Sequence, residues 1–160
     1  MLLSAGAANA ALYNFTLTGG YTASWQLDSA PAPDVTSTGE GFILWDVEGF
    51  NDALLGVADI TFYNIAIGGG LGIEDFYGDE VLLVADGPQL YTGSESNPVF
   101  SLGTFVLTEF LGTQTYILTI SQVGAGGGTD VPEPATGALL LGGIAVMAAL
   151  RKRKAGALAA

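Results

Sequence analysis

The stretch YTASWQL, residues 21–27, sends Tyr21, Ala23, Trp25 and Leu27 to one side and Thr22, Ser24 and Gln26 to the other. TYILTIS, residues 115–121, does the same, with Tyr116, Leu118 and Ile120 set against Thr115, Ile117, Thr119 and Ser121. A period of two is what a half-buried β-strand requires, because successive side chains leave a pleated backbone on opposite faces. Outward from these two stretches the pattern recurs over residues 12–17, 42–47, 58–67, 81–85, 99–102 and 104–108. Turn-forming residues separate the runs: Gly19-Gly20, residues 31–34 and 49–52, Gly68-Gly69-Gly70, Asp86-Gly87-Pro88, residues 94–98 and Gly112. Short strands with frequent turns, and no helical period before residue 135, predict an all-β domain over residues 11–121. The expected architecture is an antiparallel β-sandwich, jelly-roll-like, of about eight or nine strands.

A chain of 160 residues provides one such domain plus tails. It contains no cysteine and no histidine. That excludes a disulfide scaffold, a thiolate metal site and a cysteine nucleophile, and with them the usual neutral-pH base, the usual zinc ligand and any Ser–His triad. The residues are 49% hydrophobic with mean hydropathy +0.46, enough apolar material to exclude a disordered acidic chain. Charge is distributed unevenly. The only four cations are Arg151, Lys152, Arg153 and Lys154, so residues 1–150 hold all sixteen acids and no positive side chain. No carboxylate of the domain can pair with a Lys or Arg inside it, and nucleic acid or anionic lipid is repelled.

The C-terminal part has three components. Gln122 to Asp130 is a Gly-rich linker; residues 135–150, ATGALLLGGIAVMAAL, are free of charge; and the basic block follows. As a helix those sixteen residues span about 24 Å against about 30 Å of hydrocarbon, a mismatch that bilayer thinning and snorkelling of Arg151 and Lys152 absorb. The apolar residues lie all round the helix, so a single transmembrane span is expected rather than a core helix. The basic block sets its direction, with residues 155–160 a cytoplasmic tail and the domain outside. Val131, Pro132, Glu133 and Pro134 precede the helix, and the two prolines hold that segment extended.

Val131-Pro132-Glu133-Pro134-Ala135-Thr136, a Leu/Gly-rich apolar stretch, then Arg151, Lys152 and Arg153 resemble a PEP-CTERM sorting signal. The resemblance covers about the last thirty residues, and residues 155–160 extend beyond the usual ending. It implies transient anchoring in the inner membrane, then cleavage near the Pro-Glu-Pro motif by an exosortase, an integral-membrane cysteine transpeptidase-like enzyme of Gram-negative bacteria that make extracellular polysaccharide. Val131 to Pro134 would then be recognition residues. Residues 86–105, with residues 25–27 and 58–64, are similar to short secreted proteins carrying the same signal, a likeness that implies no activity. Such a protein needs an export signal. Ala8-Asn9-Ala10 has the small-x-small form that signal peptidase cleaves, and residues 1–10 are read as the remnant of a signal peptide. After processing at both ends, fifteen acids and no cation remain between residues 11 and 130.

Two acidic stretches are candidate calcium sites, since calcium takes several carboxylate and carbonyl oxygens. One is Glu74, Asp75, Asp79 and Glu80; the other is Asp46, Glu48 and Asp52, with Asn51 and Asp59 nearby. Neither has EF-hand spacing, and the plainer reading is solvated turn residues. No cofactor is expected, calcium being the one candidate. Trp45, Tyr77 and Tyr91 are candidate sugar-stacking faces, whereas Trp25, on the face of Tyr21, Ala23 and Leu27, is expected in the core. A structural protein would bury both tryptophans; a binding module would expose a row of aromatics. No enzyme is expected, since a small domain without a basic residue has little with which to orient a substrate. The Gly68–Gly72 segment follows a strand and opens no helix, so it is a loop rather than a phosphate cradle. The sequence therefore points to an exported cell-surface or matrix protein with a structural or adhesive role in an exopolysaccharide layer. Carbohydrate binding is the alternative, and a small glycan-active enzyme a more distant one.

Overall fold

The computed structural model describes residues 11–124. The signal-peptide remnant, the sorting motif, the transmembrane helix, the basic block and the cytoplasmic tail lie outside those residues. Among the described residues no helix is long and apolar enough to cross a membrane.

The alternating runs become strands β1 (Leu12–Thr18), β2 (Ala23–Asp28), β4 (Gly41–Glu48), β5 (Val57–Tyr63), β7 (Glu80–Asp86), β9 (Asn97–Phe100), β10 (Gly103–Glu109) and β11 (Thr115–Gln122). Three further strands are β3 (Val35–Ser37), β6 (Leu71–Asp75) and β8 (Tyr91–Ser94). None of the three alternates: β3 is exposed throughout, β6 buries its first three residues in succession, and β8 buries only Tyr91. The run over residues 58–67 stops at Tyr63. There the Asn64 side chain accepts from the Ala66 N–H and caps a single 3-10 turn, Ile65–Ile67.

Nine strands make one antiparallel sheet in the order β2-β1-β11-β10-β7-β6-β5-β4-β3, and β8 and β9 form a separate two-stranded sheet. The expectation of an all-β antiparallel domain holds. In place of two separate sheets, the structure has one curled sheet whose halves join at a corner. The joint is narrow: β10 pairs with β7 through Thr108 opposite Asp86 and Glu109 opposite Ala85, extended by the Phe110 N–H donating to the Val84 carbonyl. Beyond it the halves face each other, bringing β2 near β4 and the Phe15 ring of β1 to 6.3 Å from Phe62 of β5.

Aromatic rings fill the space between the halves. Trp25 is 2% exposed and stacks on Phe15 at 5.4 Å, as its strand face predicts. Phe100, from the β8–β9 hairpin, lies against Phe15 at 4.9 Å and Phe62 at 4.8 Å, one ring from each half. At the far side, β11 runs to Gln122 and the Val123 N–H donates to the Leu12 carbonyl. The fold therefore takes in the first residues assigned to the linker.

Candidate functional site

A break in the pairing of β4 with β5 builds the site. Leu44 faces Ile60 and Val47 faces Ala58, so Trp45 and Asp46 stand opposite Asp59 alone. This is a β-bulge, with Asp46 in the left-handed region at φ 51°. The two N–H groups it displaces find carboxylates: Trp45 donates to Asp34 Oδ2 at 2.9 Å and Asp46 to Asp59 Oδ1 at 3.0 Å. Phe42, Leu44 and Val47 stay inside, while Trp45 turns out to 53% exposure.

The turn between β6 and β7 supplies the other aromatic residues of the site. Asp75 is 3% exposed and accepts from the Leu54 N–H at 2.7 Å and the Gly78 N–H at 2.8 Å. A Cβ at Gly78 would run into that carboxylate, so the turn requires glycine there. Held this way, Phe76 and Tyr77 project at 66% and 47% exposure, ring edge to ring face at 5.7 Å. Trp45, Asp46, Asp59, Phe76 and Tyr77 together line an open pocket of about 310 Å³. Hydrogen bonding to Asp46, and then the charge of that carboxylate, raises the Tyr77 phenol above its ordinary value.

This arrangement joins residues that the sequence assigned to different chemistries. Trp45 and Tyr77 do meet as exposed aromatic faces. Tyr91, expected as a third stacking face, does not join them: it is 2% exposed, its ring against Phe42 at 4.9 Å, because the β8–β9 hairpin folds it into the core. Exposed Trp45 also departs from the structural reading that buries both tryptophans. Phe76 was missed as a binding face, although two adjacent aromatics in an acidic turn were a signal for it. Asp46 and Asp59, candidates for calcium, sit instead beside aromatic rings.

The remaining candidate acids are mostly strand residues, with Glu74 opposite Asp59 and Asp75 opposite Glu80. Glu74 and Asp75 lie in β6 and Glu80 in β7, leaving only Asp79 in the turn, and Asp75 is committed to backbone donors. Glu48 ends β4, and Asp52 accepts from the Tyr21 hydroxyl at 3.2 Å. Among the described residues no three acids gather as a metal site would need. Val131, Pro132, Glu133, Pro134, Arg151, Lys152 and Arg153 lie outside the described residues.

Comparison with known proteins bears on the tail. Residues 130–154 match the family model of the PEP-CTERM protein-sorting motif, the segment that holds Val131 to Pro134 and the basic block. The motif implies export with transient membrane anchoring, exosortase processing and sorting toward the cell surface. No curated protein and no solved structure matches the chain.

Proposed function

We propose that this exosortase-sorted chain is a non-catalytic adhesive protein of the cell surface or extracellular matrix, gripping exopolysaccharide through the pocket around Trp45. The observation that carries this reading is the outward Trp45, which lines one open pocket with Phe76, Tyr77, Asp46 and Asp59. Sugars present flat C–H faces ringed by hydroxyls. Aromatic rings suit the faces and carboxylates accept from the hydroxyls, the few polar groups among apolar ones that a binding site needs. A tryptophan turned outward beside two further exposed aromatics, in a domain whose other tryptophan is buried, favours recognition over packing.

A glycosidase would use two carboxylates, one of them held protonated as the acid. Asp59 is engaged by the Asp46 N–H and the pocket is open to water, so binding without cleavage is the better reading. The test is retention of the full chain, in mild detergent, on immobilised exopolysaccharide. Trp45→Ala and Tyr77→Ala should each weaken retention about tenfold while far-UV circular dichroism is unchanged, since both side chains are exposed. Equal retention of wild type and Trp45→Ala would remove the reading, and release of new reducing ends would replace it with catalysis. Changing Pro132, Glu133 and Pro134 to alanine should leave the uncleaved chain in the membrane fraction.

A further inference from the structure

We infer that the polysaccharide bound at the Trp45 pocket carries free amino groups, as a deacetylated hexosamine polymer does, and that its ammonium groups sit against Trp45 and Tyr77 beside Asp46 and Asp59. The inference rests on the glycan-binding reading and goes further by assigning the charge of the sugar. The first ground is an imbalance within the sheet. Asp59 faces Glu74 directly across the β5–β6 pair, and Asp46 adjoins Asp59 through the bulge. Like charges directly opposite one another on a sheet are destabilising, and a cation placed beside them relieves the repulsion. Residues 1–150 contain no lysine or arginine, so no side chain of the domain supplies that cation and a cationic ligand can.

The second ground is the company these acids keep. A cation over an aromatic face is attracted by the ring quadrupole, and most strongly by tryptophan. Here Trp45, Phe76 and Tyr77 share one pocket with two carboxylates. A neutral sugar would leave the carboxylates without a counter-charge, and a uronic-acid polymer would meet repulsion from the whole domain. A compact metal ion is a poorer occupant, since among the described residues no three acids converge. A lone lysine side chain would fill only a fraction of an open 310 Å³ pocket with Phe76 at 66% exposure, whereas a pyranose ring bearing an amine can lie along it.

The experiment follows tryptophan fluorescence of the full chain at about pH 6, where such amines are charged. The exposed Trp45 is the reporter; Trp25 is buried and Trp45→Phe supplies the background. The titrants are a glucosamine oligosaccharide, its fully N-acetylated counterpart, an oligogalacturonate and a short poly-lysine. The glucosamine oligomer should bind at least about tenfold more tightly than the acetylated one in low salt, the gap closing as salt is raised. Asp59→Asn, which keeps an acceptor for the Asp46 N–H, and Asp46→Asn should each narrow the gap. Equal binding of both hexosamine oligomers, or binding of the galacturonate, overturns the inference and leaves the glycan reading intact. Poly-lysine binding at Trp45 as tight as glucosamine binding overturns the sugar assignment in favour of a basic protein partner. No response to any sugar removes both readings.

Discussion

Asp75 is a buried carboxylate with no cation near it, and its two oxygens hold one N–H from the β4–β5 loop and one from the Phe76–Tyr77 turn. Asp75→Ala removes the charged acceptor of two part-buried hydrogen bonds, and should cost about 1–3 kcal/mol in urea unfolding. It should also weaken polysaccharide retention, because Phe76 and Tyr77 lose the anchor that aims them. The two tryptophans mark how far single residues were legible. Trp25 could be placed from its strand because β2 alternates without interruption. Trp45 could not, since strict alternation over residues 42–47 sets Val47 on its face, and the bulge moves Val47 inside. That bulge depends on Asp34 and Asp59, carboxylates 11 and 13 residues away, which no local pattern reveals. Tyr91 was misplaced for the same kind of reason, since what buries it comes from elsewhere in the chain.

At the scale of elements, the β8–β9 hairpin stands apart from the main sheet yet contributes the ring that bridges its halves. Phe100→Ala should cost about 3–5 kcal/mol, more than the loss of a core ring touching one half only, measured as the shift in urea midpoint at constant slope. The turn of this hairpin holds Glu95, 8% exposed, which accepts from Asn64 Nδ2 at 2.7 Å. Backbone hydrogen bonding first, and Asn64 next, hold its carboxyl below the ordinary value. A lowered carboxyl contributes stability above its unfolded value and loses it as pH falls through the folded one. Thermal unfolding below about pH 4 should therefore fall less steeply in Glu95→Gln than in the wild type. The strands that the sequence revealed are those with one wet and one dry face. Those it hid, β3, β6 and β8, are a short exposed edge, a strand with three successive buried residues, and one interrupted by Gly93 at φ 85°.

For the molecule as a whole, the missing cations set the response to solvent. With fourteen acids and no Lys or Arg in residues 11–124, self-repulsion opposes compaction, and the melting temperature should rise steadily from about 10 mM to about 0.5 M sodium chloride. Alkali acts in the opposite direction. Burial raises the phenols of Tyr21, Tyr63, Tyr91 and Tyr116, and Asp46 raises that of Tyr77. Raised phenols favour the folded state while protonated, so stability should decline as pH climbs past about 10, followed by the tyrosinate absorbance and circular dichroism together. The all-β class and the export tail were both legible because each depends on composition and period. The single curled sheet was not, because its corner rests on two residue pairs between strands that the β8–β9 hairpin separates in the chain. The pairing of β1 with β11 sets an order of events in time. A chain crossing a membrane N-terminus first has its earliest strand outside, paired with β2 alone and lacking its second neighbour, until Gln122 has emerged. The sheet then completes only about ten residues ahead of the sorting motif, so the domain closes at nearly the moment its tail reaches the bilayer, and until then the secretory machinery handles a soft, unclosed chain.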